Sequence, residues 1–335
     1  MDYRKLGRSG LDVSPLALGT MLFGDATSEA DAMAIVADAA DRGVNFIDTA
    51  DGYAGGRSEE IVGRAIEADR DKWVVATKFG NKRGDAPNSG GTSRRWAIQC
   101  CEQSLKRMGT DYIDVLYLHK EDHSVPLGET VRALADLVRQ GKIRYFGVSN
   151  YKSWRVAEIC RLADEYGIDR PVVSQPYYNL VNRMPETEHL AACGYFGLGV
   201  FPYSPIARGI LSGKYAPGAA PVEGSRIARG DKRALETEWR DESLHVAQQV
   251  KARAEAVGIV ASQFATAWVL NNALITGVVA GPRTMAQWQD YVGALDYRFT
   301  AEDEAFCDGL VAAGHPSTPG FIDPQYGVEG RISRA

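Results

Sequence analysis

Nowhere in the 335 residues does an apolar run approach the ~18 positions that cross a membrane as a helix. The first ten residues, MDYRKLGRSG, carry no apolar stretch of the kind a secretion signal needs, so a cytoplasmic location is expected. Basic residues occur in nothing longer than pairs such as Arg94-Arg95, and the net charge is −5; nucleic acid is therefore not an expected partner. The five cysteines (Cys100, Cys101, Cys160, Cys193 and Cys307) are odd in number and form no CxxC, which argues for reduced thiols over a disulfide frame or a zinc site. Cys100 and Cys101 fall in a helical pattern and are expected on different faces. There is no HExxH, no phosphate-binding lysine loop and no glycine-rich dinucleotide fingerprint after a first strand. No metal site is expected.

What is present is an ordinary globular composition, 45% hydrophobic and 24% charged. Apolar runs of strand length alternate with helical patterns from end to end. Residues 2–19 read as a hairpin and a first inner strand, Leu16–Leu18, placed to plug the N-terminal mouth of a barrel. Further strands are expected at 44–47, 73–77, 112–118, 143–148, 172–174, 198–202 and 276–279. Helices are expected at 28–42, 58–67, 93–108, 127–140, 153–166, 186–195, 242–257, 262–271 and 284–295. Eight strands separated by helices, with no linker, predict one (β/α)8 barrel domain over residues 1–335. The segment 207–240 is too long for a simple connection and is expected to be functional. Residues 315–335 have no helical period and read as an irregular flap.

The chain is organised around GVNFIDTADGYAGGRSEEIVG, residues 43–63. A buried strand ends at Asp48, a glycine-loosened loop carries Tyr53, and a helix follows. Taken singly, an Asp at a strand end is a turn or cap residue and a loop Tyr is a packing lid. Two further strands end at Lys78 and His119, and barrel closure brings strand ends to one rim. The four groups suit one task, protonating a carbonyl oxygen. A free phenol, with pKa about 10, is a poor acid at neutral pH. A neighbouring ammonium favours the phenolate, a carboxylate keeps that ammonium in place, and a histidine orients the carbonyl. A second histidine, His123, reads as a loop residue.

At this point the chain resembles the aldo-keto reductase superfamily. The likeness covers about residues 2–300 and rests on GVNFIDTADGY, ATKFG, TDYIDVLYLH, GKIRYFGVSN, SQPYYN, PYSPIARGILSGKY and AGPRT. The later groups look most like the branch holding bacterial general reductases and potassium-channel β subunits. The resemblance implies NADPH, with NAD less favoured, bound without a Rossmann fold, and hydride transfer to an aldehyde or ketone. It implies Tyr53 as general acid, tuned by Lys78 and Asp48, with His119 orienting the carbonyl. Ser149, Asn150 and Gln175 match positions that hold the nicotinamide carboxamide, and Tyr203 matches the aromatic stacked on its ring. Gly19, Thr20 and Met21 match a strand end near the ribose. Ser204, Pro205, Ile206, Ala207, Gly209 and Lys214 match a segment folding over the pyrophosphate, with Arg226 on the same loop. Gly281 and Arg283 match a phosphate site at the opening of the last helix, where a helix N-terminus and a guanidinium favour the 2′-phosphate. Gln287 and Asp290 match an adenine-side pair. Three departures stand out: Tyr291 where many relatives have Asn, Pro282 in place of a residue with a free N–H, and Ile206 for Leu.

The expected partner is a small aldehyde, ketone, sugar or alcohol, with no membrane partner; a homo-oligomer is left open. The alternative is a cofactor-binding, redox-sensing subunit like the channel β subunits. A phosphate-binding barrel isomerase uses the same fold but leaves Tyr53 and Tyr203 unexplained.

Overall fold

The structure is a computed structural model and describes residues 1–329. The end of the expected irregular tail, 330–335, lies outside the described residues. The chain divides into two compact units: Met1–Pro176, Glu188–Tyr203 and Ala273–Gln289 form the first; Tyr177–Thr187, Ser204–Asn272 and the chain from Asp290 onward form the second.

The first unit opens with an antiparallel pair, β1 (Arg4–Lys5) and β2 (Asp12–Val13). Eight parallel strands follow: β3 (Leu16–Gly19), β4 (Phe46–Asp48), β5 (Val74–Phe79), β6 (Ile113–Leu118), β7 (Ile143–Ser149), β8 (Val173–Gln175), β9 (Gly199–Val200) and β10 (Val278–Ala280). They pair in chain order, and β10 returns to β3. The remaining edge is joined by Thr276 N–H to Val200 O at 2.9 Å and Val279 N–H to Pro202 O at 2.9 Å. The result is the (β/α)8 barrel that the alternation predicts.

Helices α1 (Glu29–Asp41), α2 (Arg57–Ile66), α3 (Arg94–Met108), α4 (Leu127–Arg139), α5 (Ser153–Tyr166) and α6 (His189–Phe196) each pack on the next. Their ends follow local chemistry. The Ser28 and Ser93 hydroxyls accept from the third residue of α1 and α3, and Gly109, Gly167 and Gly197 close α3, α5 and α6 in the left-handed region. Leu6, Val13, Phe46, Val74, Val115 and Phe201 belong to one buried cluster, so the hairpin does seal the barrel's base. Gly7 is required there: at φ +57, a Cβ would lie 2.3 Å from Val172 O.

In the second unit, a 3-10 turn (Ala207–Ser212) packs on α8 (Asp241–Ala256) and α9 (Ala261–Asn271). Phe264 of α9 meets Phe299 at 4.9 Å and Phe306 of α11 (Ala301–Leu310) at 6.3 Å.

Several expectations need correcting. The strand expected at 198–202 is only Gly199–Val200: Leu198 N–H is taken by Cys193 O, and Pro202 has no N–H to give. The helix expected from residue 186 starts at His189. Before it a 3-10 turn (Met184–Thr187) is held by Glu186, which accepts from Tyr178 OH at 2.6 Å and Arg183 Nε at 3.0 Å. Residues 207–240 are not all loop. They include α7 (Lys232–Thr237), capped by Asp231. α10 (Met285–Gly293) is not the last helix, because α11 follows, opened by a capping box of Thr300 and Asp303. The five cysteines need no correction: all are free, as expected of reduced thiols, and all are buried.

Candidate active site

Beyond β4 the chain keeps its register for three residues: Thr49 N–H reaches Ala76 O at 2.9 Å and Asp51 N–H reaches Lys78 O at 3.1 Å. It then turns into a short 3-10 segment, Tyr53–Gly56, which contains three left-handed residues, Ala54 at φ 47, Gly55 at φ 71 and Gly56 at φ 106. For Ala54 that conformation costs about 1–2 kcal/mol. Arg83 donates to Gly55 O at 3.0 Å and steadies the segment. Asp51 is buried and accepts from Cys100 Sγ at 3.2 Å. Burial pushes its carboxyl above the ordinary range.

Asp48 stands level with Ala76 in the sheet, so Lys78, two residues further along β5, projects to the same face. The lysine is fully buried and its three protons have three partners. Nζ lies 2.5 Å from Asp48 Oδ1, 2.8 Å from Thr49 O and 3.3 Å from Tyr53 OH. Burial works against its charge, but the Asp48 carboxylate, then Tyr53, outweigh it and raise the Lys78 pKa. The ammonium also lies 4.9 Å from the Tyr53 ring centroid. Asp48 Oδ2 is held separately by Gln175 Nε2 at 2.8 Å.

His119 meets Tyr53 edge-on, with ring centroids 6.0 Å apart. The amide nitrogen of Asn81 is 3.0 Å from His119 Nδ1. An amide nitrogen only donates, so Nδ1 accepts and the ring hydrogen sits on Nε2. Burial, then the charges of Lys78 and Lys120, pull the imidazole down to about 3, so it is a neutral donor at physiological pH. His123 is exposed, beside Glu121 and Arg155, as a loop residue should be.

All four residues singled out for proton transfer therefore meet on one rim. The structure adds Thr49, Asn81 and Arg83, which sequence reasoning missed. The backbone carbonyl of Thr49 leaves no trace in the sequence. Asn81 and Arg83 stand in a loop whose path no periodicity fixes.

The residues matched to a cofactor fall in both units. In the first unit, Ser149 Oγ donates to Gln175 O at 2.9 Å, Asn150 Nδ2 to His119 O at 3.0 Å and Tyr203 OH to Asn150 Oδ1 at 2.9 Å. This chain of amides and hydroxyls reaches Asp48 through Gln175. Thr20 N–H bonds Asp48 O at 2.9 Å, Gly19 ends β3, and Met21 is exposed. Gly281 and Arg283 lie just ahead of α10, and Gln287 caps that turn by accepting Arg283 N–H at 2.8 Å.

In the second unit, Ser204 to Gly209 form a tight turn. Ala207 N–H bonds Ser204 O, Gly209 N–H bonds Ile206 O, Pro205 is buried, and Ser204 and Ala207 are left-handed. Lys214 is exposed beside the Tyr215 ring. Arg226 pairs with Asp231 at 3.4 Å, and Asp290 accepts from Ser262 at 3.2 Å.

At the end of this (β/α)8 barrel a buried lysine is thus clamped between a carboxylate and a tyrosine. The chain belongs to the aldo/keto reductase family, whose pattern it matches over residues 15–312. It is 36% identical over 301 residues to a probable voltage-gated potassium channel subunit beta of Arabidopsis thaliana, covering 88% of this chain and 92% of that protein. It is 34% identical over 326 residues to an L-glyceraldehyde 3-phosphate reductase of Escherichia coli O157:H7, covering 94% of this chain and 93% of that protein. An uncharacterized oxidoreductase of Bacillus subtilis is 36% identical over 314 residues, 90% of this chain and 93% of that protein. No helix among the described residues is long and apolar enough to cross a membrane.

Proposed function

We propose that the protein is an NADPH-dependent reductase of aldehydes and ketones, reversible toward alcohol oxidation, with Tyr53 as the general acid. The reading is carried by one observation, the 3.3 Å approach of the buried Lys78 ammonium to the Tyr53 hydroxyl.

As the Tyr53 proton leaves, negative charge grows beside a fixed positive one, in a site where charges are weakly screened. Asp48 keeps that positive charge in place, and Gln175 keeps Asp48 from turning. His119, held as the Nε2–H tautomer by Asn81, donates to the carbonyl oxygen without itself changing charge. Alcohol oxidation runs the same proton back to Tyr53.

The nicotinamide, when bound, supplies the hydride. The residues at hand suit it: Ser149, Asn150 and Gln175 offer the hydroxyl and amides a carboxamide needs, and the Tyr203 ring is partly exposed beside them. Arg283, just before α10, favours the extra phosphate of NADP. The second unit's Arg226, Lys214 and Ser204–Gly209 turn are assigned to the cofactor by family pattern, as are Gly281, Gln287 and Asp290. A cytoplasmic protein acting on small carbonyl compounds as one barrel domain fits this reading.

The likeness to a reductase of a phosphorylated triose puts phosphorylated aldehydes first among substrates to try. The test is to mix protein with NADPH or NADH and a panel of neutral, aryl, sugar and phosphorylated aldehydes, and to follow absorbance of the reduced cofactor. Turnover with NADPH supports the reading; none on any member of the panel refutes it. The likeness to proteins named as channel subunits favours a second reading, a slow cofactor-binding sensor. Under that reading NADPH binds tightly, single turnovers occur, and steady-state turnover is negligible.

A further inference from the structure

We propose that the hollow between the loop at residues 82–89 and α3 binds a small phosphate-bearing anion, and that the Tyr53 segment senses its occupancy. The second half of this statement rests on the function proposed for Tyr53; the first does not.

The hollow has a volume of about 600 Å³ and lies wholly within the first unit. Its wall is made of hydrogen-bond donors: Lys82, Arg83, Ser89, Trp96, Gln99 and Gln103. Among the described residues no carboxylate lines it. Trp96 is only 4% exposed, and its indole N–H is buried without an acceptor among the described residues. The Lys82 ammonium has only a loose contact, 3.7 Å from the exposed Asp85. The loop is built rather than floppy: Arg83 N–H bonds Ser89 O at 2.6 Å, Gly91 N–H bonds Gly80 O at 3.2 Å, and Ser89 Oγ bonds Ala86 O at 2.7 Å. Two cations of different shape, a hydroxyl and two amides suit a phosphate monoester, whose three free oxygens accept several bonds at once.

Arg83 ties this hollow to the tyrosine. One of its terminal nitrogens donates to Gly55 O at 3.0 Å, and the other lies 3.3 Å from where a Cβ on Gly52 would stand. Gly52 directly precedes Tyr53, and Ala54 and Gly55 are left-handed. An anion that draws the guanidinium toward Lys82 weakens the bond to Gly55 O and releases a segment already in a costly conformation.

The test begins with protein saturated with NADP, so that cofactor phosphate positions are filled. Inorganic phosphate is titrated at constant ionic strength, read by calorimetry and by indole fluorescence. One saturable site is expected. The double variant Lys82→Gln/Arg83→Gln should weaken it at least about tenfold, the effect of losing a charge-assisted hydrogen bond. Trp96→Phe should remove the fluorescence change. Binding that is absent, or identical in the double variant, overturns the site, whether or not the protein reduces carbonyls. Kinetics then separate two sources of the phosphate. If phosphate alters kcat for a neutral aldehyde, and Lys82→Gln abolishes the effect, the anion is a separate effector. If instead Lys82→Gln raises KM only for a phosphorylated aldehyde, the phosphate is the substrate's own. If phosphate binds and neither aldehyde's kinetics respond, the coupling to Tyr53 is wrong.

Discussion

Gln175 and Asp48 are separated by 127 positions in the chain and joined by a 2.8 Å hydrogen bond. The bond fixes the carboxylate whose other oxygen holds Lys78, so the end of β8 orients the side chain that ends β4. Replacing Gln175 with Leu frees one Asp48 oxygen. A hydrogen bond to a charged group is worth about 1.5–3 kcal/mol, so kcat is expected to fall roughly ten- to hundredfold while the fold survives. Steady-state kinetics beside a thermal melt separate the two effects.

Lys78 gives a different pattern. Lys78→Met leaves the Asp48 carboxylate buried without its cation, a change expected to cost about 3–5 kcal/mol of stability. Adding Asp48→Asn removes the orphaned charge and should recover much of that loss without recovering turnover. Urea unfolding of both variants measures the first part. A double variant as unstable as Lys78→Met would show that the pair's charges do not dominate its energetics.

The histidines set a pH dependence. His119 is pulled from 6.5 to about 3 and His189 from 6.5 to about 4, both chiefly by burial. Below pH 6.5 the unfolded chain takes up protons at these sites while the folded chain does not, so stability falls as pH drops toward 4. At and above pH 7 this penalty is absent. His119→Asn should flatten the fall in melting temperature between pH 6.5 and 4, and an unchanged slope would mean that His119 titrates normally.

The thiols offer a simple count. All five cysteines are buried, and burial raises Cys160 to about 11 and Cys101, Cys193 and Cys307 to about 12. Native protein should not react with an aromatic disulfide reagent within minutes, and urea-unfolded protein should release five equivalents.

Much of this was legible in the sequence. The run GVNFIDTADGY showed a strand, a carboxylate at its end and a loop tyrosine, and parallel pairing in chain order then forced Asp48, Lys78 and His119 onto one rim. The capping box at Thr300–Asp303 was there to be read, yet α11 went unanticipated because its few apolar residues form only a weak stripe. Asn81, Arg83 and the Thr49 carbonyl were not legible. Their roles depend on the path of a loop and on backbone atoms, which side-chain patterning does not encode. The short β9 likewise depended on which N–H groups were already taken.

The most direct measurement is a single turnover of NADPH with an excess of a reactive aldehyde, for wild type and Tyr53→Phe, after fluorescence titration shows equal cofactor affinity. Loss of a general acid is expected to slow reduction about 10²–10⁴-fold with the cofactor Kd unchanged. A Tyr53→Phe rate within about threefold of wild type, beyond what removal of the acid allows, would contradict the assignment of Tyr53 as the proton donor.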